Sequence, residues 1–229
     1  MTKRLLALLI NVPMNGIGMI DVGTDHAIIP ISLAQKGYQG KLFASDIHQG
    51  PLQKAKNAAE DAGVAERISF QLCDGLALCP ATEIDCIVIA GMGGETICRI
   101  LDQAEWIFDG LYHFVFQPMT HAEVLRYWLV HNEFQIIREE IVPENGQLFQ
   151  LFTASLGKSL RYSDPEYIVG KLNGLRSGVS VYELLKEEGD LLRKKVSGLS
   201  ESKRYNSEYA FYRKILTEME MLMQNEYGK

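Results

Sequence analysis

The chain has 229 residues, of which 47% are hydrophobic and 23% charged, so a largely disordered protein is excluded. This length predicts one sizeable domain with an appendage. The formal net charge of −6 argues against a generally basic nucleic-acid binder. The charge is unevenly distributed, because residues 1–150 carry a net −8 and residues 151–229 a net +2. The sequence therefore predicts an acidic body followed by a locally basic C-terminal region.

The four cysteines form no C-x-x-C pair, and no histidines stand at zinc-finger spacing. We therefore predict no metal site, and reduced thiols in a cytoplasmic protein. The apolar run 5–10 is much shorter than the roughly 20 residues that span a bilayer. We interpret it as an amphipathic N-terminal helix and predict no membrane partner.

Apolar runs separated by turn residues predict alternating strands and helices up to residue 131. Strands are expected over 18–22, 41–45, 68–72, 84–90 and 112–116, and helices over 27–34, 49–62, 95–106 and 121–131. Thr24 or Asp25 is expected to cap the first of these helices after a strand. Two more strands, 134–142 and 147–156, flank a hairpin turn at 143–146. This order predicts a doubly wound, Rossmann-like α/β sheet with an antiparallel last strand.

The C-terminal region has a different pattern, with apolar residues three and four positions apart over 182–199 and again over 205–223. This spacing predicts two helices packed as an antiparallel hairpin. We accordingly predict two domains, residues 1–160 and residues 161–229. Basic residues near the hairpin tip are candidate RNA contacts, and a solvated surface is the alternative; they are Arg193, Lys194, Lys195, Lys203 and Arg204.

The turn after the first strand, Asp21-Val22-Gly23-Thr24-Asp25-His26, is the most informative stretch. A dinucleotide site needs G-x-G-x-x-G, so that backbone amides approach the pyrophosphate. This turn has one glycine and two carboxylates, which repel a pyrophosphate. Carboxylates suit a cationic ligand with an amino group, and S-adenosylmethionine carries a sulfonium and an α-ammonium. The turn thus favours methyl transfer.

The ends of the next three strands fit the same ligand. Asp46 follows Gly23 by 23 residues, close to the spacing of about 20 expected for the acid that binds a ribose. Asp74 can accept a hydrogen bond from the adenine amino group. Ala90 and Gly91 allow the backbone to approach the methionine part closely. Each acid alone is commonly a helix cap or turn residue, but three at successive strand ends indicate a site.

Several motifs resemble the bacterial tRNA (adenine(22)-N(1))-methyltransferase family, and the resemblance spans most of the chain. They are D-V-G-T-D-H at 21–26, Asp74-Gly75, I-A-G-M-G-G at 89–94, Q-P-M at 117–119 and L-R-Y-W-L at 125–129. The resemblance implies a class I methyltransferase domain, S-adenosylmethionine as donor and a tRNA adenine as acceptor. The chain has Phe149-Gln150 where the family has Tyr-Glu, and Arg4 corresponds to an early arginine of the family.

The resemblance also implies roles for individual residues. It places Asp25 near the reacting atoms and predicts a cofactor site made of Asp21, Gly23, His26, Asp46, Ile47, Asp74, Gly75, Ala90 and Gly91. Gln117, Pro118 and Met119 are predicted to form one wall of the pocket for the extruded base. Arg4 is predicted to contact RNA. Adenine N1 already has a lone pair, so we hypothesise that Asp25 accepts a hydrogen bond from N6 and stabilises the developing charge.

Two alternatives stay open from the sequence. One is a methyltransferase acting on a small molecule or a protein, with the helical hairpin as a lid or dimer element. The other is a non-catalytic adaptor that keeps the fold and uses the hairpin to bind a partner.

Overall fold

The computed structural model describes residues 1–171, 181–201 and 207–227, and the chain divides into two compact units, Met1–Leu160 and Arg161–Lys229. The first unit contains, in chain order, α1 Lys3–Ile10, β1 Gly18–Val22, α2 Ile28–Gln35, β2 Lys41–Asp46, α3 Gln49–Asp61, β3 Ile68–Leu72, β4 Cys86–Gly93, α4 Gly94–Asp102, β5 His113–Thr120, α5 Ala122–His131, β6 Phe134–Glu144 and β7 Gln147–Leu156. Short 3₁₀ helices occupy Ala65–Arg67, Ala81–Glu83 and Glu105–Phe108. No helix in the described part of the chain is long and apolar enough to cross a membrane.

The strands form one seven-stranded sheet in the order β3-β2-β1-β4-β5-β7-β6. The first five strands are parallel, whereas β7 pairs antiparallel with both β5 and β6. Strand order reverses between β1 and β4, so the carboxyl ends of these strands form the crevice where doubly wound sheets bind ligands. The predicted Rossmann-like sheet with an antiparallel last strand is confirmed.

Side chains alternate between two cores, one on each face of the sheet. Ile20, Ile87 and Phe114 face the core that also contains apolar residues of α4 and α5. Met19, Val88 and Val115 face the core made with α1, α2 and α3. By this alternation Asp21, Ala90 and Gln117 project to the second face, the one covered by α1 and α2.

Three sequence predictions need correction near the site. β4 and β5 continue to Gly93 and Thr120 rather than ending at residues 90 and 116, because the two strands keep pairing through register shifts around Met92. The helix predicted over 95–106 ends at Asp102 and is followed by a separate 3₁₀ turn. Neither Thr24 nor Asp25 caps α2, since Ala27 precedes the helix in the left-handed region, with φ of 48°, and no side chain caps it.

A bulge in β6 changes which side chains face the α4 and α5 core. Ile136 pairs with Ala154, but Arg138 already pairs with Thr153, so Ile137 is extra and projects outward. The shift brings Glu139 opposite the buried Phe152. A charged side chain of a strand therefore becomes buried, although simple alternation from Phe134 would expose it.

The second unit contains α6 Asp164–Val169, α7 Val181–Glu201 and α8 Ser207–Tyr227. Arg193 of α7 pairs with Glu220 of α8, and Lys195 lies over the ring of Tyr212. Contacting residues that lie later in α7 lie earlier in α8, so the two helices run antiparallel. The predicted antiparallel hairpin is confirmed. Helix α6 was not predicted from the sequence, although it begins with a capping box between Ser163 and Glu166.

Candidate active site

Asp21 is a buried carboxylate at the end of β1, with only 7% of its surface exposed. The Thr24 hydroxyl donates to its Oδ2 at 2.6 Å. Burial raises the pKa of Asp21 to about 6; the Thr24 hydrogen bond opposes this shift, and the nearby Asp46 carboxylate adds to it. Asp21 forms no ion pair with any residue that the structure describes. A carboxylate kept here without a cation is suited to a cationic ligand.

The backbone of the turn is shaped by Gly23, which has φ of +75°. The amides of Gly23 and Thr24 both donate to the carbonyl of Ser45 on β2, at 2.8 and 2.9 Å. A Cβ at Gly23 would clash with the methyl group of Met92. The left-handed φ is what favours glycine here, because the flexible end of the Met92 side chain can move aside from an added Cβ.

Asp25 and His26 lie on the exposed side of the same turn. The Asp25 side chain is 64% exposed, and its Oδ2 lies 3.4 Å from Nε2 of His26. Asp25 and Asp21 therefore differ sharply in environment although they are four residues apart. An accessible carboxylate of this kind can reach a substrate, whereas Asp21 can reach only a ligand that enters the crevice.

Asp46 ends β2, and its Oδ1 accepts a hydrogen bond at 2.8 Å from the backbone amide of His48. This contact uses one carboxylate oxygen, so the other remains able to accept from a ligand hydroxyl. Ile47 follows with 53% of its surface exposed. An exposed isoleucine beside the acid offers an apolar surface to a flat ring.

Asp74 and Gly75 follow the end of β3, in a turn where the amide of Ala77 donates to the Asp74 carbonyl at 3.1 Å. Asp74 is exposed, while Gly75 is buried with φ of +53°. The carbonyl of Gly75 accepts from the hydroxyl of Ser45 at 3.4 Å. The ends of β1, β2 and β3 are thus connected by hydrogen bonds through Ser45.

Ala90 of β4 pairs directly with Gln117 of β5, and Gly91 follows at a positive φ of +78°. Gln117 is 1% exposed. Its Nε2 donates to the carbonyl of Pro118 at 3.0 Å and to Sδ of Met119 at 3.5 Å. Its Oε1 is buried and has no hydrogen-bond partner in the described residues. The predicted base-pocket wall therefore contains an unsatisfied acceptor.

Met119 is 44% exposed, and its sulfur also accepts from the guanidinium of Arg4 at 3.3 Å. Arg4 is further held by its backbone amide, which donates to Glu144, and by stacking 4.8 Å over the ring of Phe149. The structure thus brings Arg4, predicted as an RNA contact, to the β5 wall. Gln150, the other departure from the family pattern, accepts from Arg126 instead, at 2.6 Å.

The candidate RNA contacts of the hairpin differ from one another. Arg193 already binds two carboxylates, Asp190 and Glu220, at 2.6 and 3.0 Å. Lys195 lies over Tyr212, and Lys194 is exposed without an ion pair to any described side chain. Lys203 and Arg204 lie outside the residues that the structure describes.

Comparison with known proteins identifies the family to which the chain belongs. A family model for a methyltransferase domain matches residues 1–152. The chain belongs to this methyltransferase family. The match covers every predicted cofactor residue and the Q-P-M wall.

The predicted resemblance to the tRNA (adenine(22)-N(1))-methyltransferases is also confirmed. The Bacillus subtilis protein of that name is 34% identical over 157 residues, 69% of this chain and 66% of the relative, so the match spans just under two thirds of that protein. The crystal structure of the B. subtilis enzyme superposes with a TM-score of 0.77 at 26% identity, covering 98% of this chain and 96% of that one. Sp1610 of Streptococcus pneumoniae, solved with S-adenosyl-L-methionine, gives 0.77 at 27% identity over 97% and 99%.

Two residues that shape this crevice lie in motifs quoted from the sequence but were given no role in the predicted site. Thr24 orients Asp21, and Met92 covers Gly23. A hydroxyl three residues after a strand-end acid is a detectable local signal. Met92 carries no such signal, because its contact depends on how β4 continues past Gly91.

Proposed function

We propose that this chain transfers the methyl group of S-adenosylmethionine to N1 of an adenine in tRNA. The observation that carries the proposal is the similarity to the B. subtilis tRNA (adenine(22)-N(1))-methyltransferase, at 34% identity over 157 residues. A tRNA substrate implies a cytoplasmic location.

The residues of the crevice fit the proposed cofactor. Asp21 is buried, has its pKa raised to about 6 and has no cationic partner in the described chain, so an α-ammonium would supply the missing charge. We assign Asp46 to the ribose, with Ile47 against the adenine face and Asp74 at the adenine amino group. When bound, S-adenosylmethionine supplies an electrophilic methyl group on a sulfonium.

The protein's part in the reaction is to position the base and to stabilise charge. Adenine N1 would attack the methyl carbon with its own lone pair while the carbon–sulfur bond breaks and its electrons stay on sulfur, and the resulting cation would be neutralised by loss of a proton from N6 to solvent. Asp25, exposed beside the cofactor turn, accepts a hydrogen bond from the N6 hydrogen on the N1 side. Because N1 lies on the pairing edge, the base leaves its stack and enters the pocket bounded by Gln117, Pro118 and Met119.

Incubating the purified chain with total tRNA and methyl-labelled S-adenosylmethionine, followed by digestion to nucleosides, tests the proposal. Label in 1-methyladenosine is expected, and a primer-extension stop then locates the modified base. Label in another nucleoside, in a protein, or in no product at all would contradict the proposal.

A further inference from the structure

The unsatisfied acceptor of Gln117 has a fixed orientation. Its Nε2 donates to the carbonyl of Pro118 at 3.0 Å. Rotating the amide by half a turn would place Oε1 against that carbonyl, two acceptors facing each other, so the present orientation is the stable one. Oε1 therefore remains without a donor among the described residues, inside a side chain that is 1% exposed. A buried acceptor of this kind is costly unless a ligand satisfies it.

The second N–H of Gln117 is bound only weakly. It points to Sδ of Met119 at 3.5 Å, and a thioether is a weak acceptor. The same sulfur accepts from Arg4, which places the guanidinium and the amide on either side of one exposed side chain. A stronger acceptor entering the pocket can displace Met119 from both donors.

We infer that Gln117 is the residue that recognises adenine, with Oε1 accepting from the exocyclic N6 amine and Nε2 donating to N7. An amide pairs with these two adenine groups in a bidentate manner. This contact uses the Hoogsteen edge, so N1 remains free to attack. Guanine offers an oxygen at position 6 and would face Oε1 with a second acceptor. The inference rests on the proposed function and assigns base selectivity within that site.

The position of Gln117 supports this assignment. It pairs with Ala90, on the same face of the sheet as Asp21, so it borders the crevice from the side opposite β2 and β3. The N6 amine has two hydrogens: the one on the N7 side meets Gln117, and the one on the N1 side meets Asp25. The two assignments are thus compatible.

The test compares Gln117→Met with Gln150→Met, two substitutions of a buried glutamine by an isosteric apolar residue. Gln150 satisfies its acceptor with Arg126, so its loss should lower the melting temperature and leave base selectivity unchanged. Gln117→Met removes the unsatisfied acceptor together with the hydrogen bond to the Pro118 carbonyl, so the melting temperature should fall less than in Gln150→Met and the affinity for S-adenosylmethionine should be unchanged.

Both variants and the wild type are assayed on tRNA carrying adenosine or 7-deazaadenosine at the methylated position. The analogue lacks only N7, the acceptor assigned to Nε2 of Gln117, so the wild type and Gln150→Met should lose roughly tenfold in kcat/KM on 7-deazaadenosine tRNA relative to adenosine tRNA. Gln117→Met should be slow on adenosine and should lose most of this discrimination.

The inference is overturned if Gln117→Met keeps the wild-type ratios, or if the wild type methylates the 7-deazaadenosine tRNA at the full rate. In either case the proposed function stands, because methylation of adenosine is still observed. If the wild type methylates no adenosine in tRNA, both the function and this assignment fail.

Discussion

Asp21 and Glu139 are buried carboxylates in contrasting environments. Asp21, at the end of β1, is 7% exposed and has no cationic partner in the described residues, whereas Glu139, on β6, is 5% exposed and accepts from Arg126 at 2.6 Å. The two buried glutamines differ in the same manner, since Gln150 is bonded to Arg126 and Oε1 of Gln117 is unsatisfied. Polar side chains of β6 and β7 are thus satisfied by the protein itself, whereas at the crevice Asp21 lacks a cation and Gln117 lacks a donor among the described residues.

This difference separates polar groups that stabilise the fold from polar groups that we propose bind a ligand. The unpaired Asp21 weakens the native state once it is ionised, because its native pKa of about 6 lies above its unfolded value of 3.8. Its contribution to stability is therefore fully present below pH 3.8 and is lost as the pH rises through 6, a change of about 3 kcal/mol. A cationic ligand bound beside Asp21 would restore this loss.

The largest effect on stability is expected when the buried ion pair between Arg126 and Glu139 is broken. Arg126→Ala removes the buried cation that donates to Glu139 at 2.6 Å and should lower the free energy of unfolding by about 3–5 kcal/mol in urea titrations. Pairing the change with Glu139→Leu should recover part of the loss, because the uncompensated charge is then gone. A loss below about 1 kcal/mol for the single variant would show that the pair does not hold this edge together.

Asp25, the exposed carboxylate beside the crevice, should affect turnover and not the free energy of unfolding. Asp25→Ala is expected to lower kcat by about a hundredfold, as for loss of a group that assists proton transfer, with cofactor affinity retained. Calorimetry and single-turnover methylation separate the two quantities. Equal loss of affinity in Asp25→Ala and Asp21→Ala would remove Asp25 from the chemistry.

The helical hairpin also contains one paired and one unpaired charge. Arg193 forms ion pairs, whereas Lys194 forms none with a described residue. Lys194→Glu should weaken tRNA binding about threefold and reduce its salt slope by about 1. Arg193→Gln should change both less, because two carboxylates already compensate its charge. Unchanged binding in Lys194→Glu would make this part of the hairpin plain solvated surface.

Sequence patterns predicted the elements at the crevice because its strands are apolar runs ended by acids, and acids at strand ends are visible without a structure. They did not predict the Arg126–Glu139–Gln150 network. Glu139 is buried only because the bulge at Ile137 shifts the register, and no glycine or proline marks that bulge. Likewise, Gln117 was predicted to line the pocket, but its unsatisfied oxygen depends on the carbonyl of Pro118 in a strand longer than expected.

The most direct test asks whether the unpaired Asp21 carboxylate binds the cofactor. The affinity for S-adenosylmethionine is measured by calorimetry between pH 7.5 and pH 5 on the wild type and Asp21→Asn. Protonation of Asp21, with its pKa near 6, should weaken binding by the wild type about tenfold over this range and release a proton on binding at the lower pH. Asp21→Asn should bind weakly at every pH, with a flat profile. A variant that keeps wild-type affinity and the same pH dependence would contradict the assignment of the unpaired carboxylate to the cofactor.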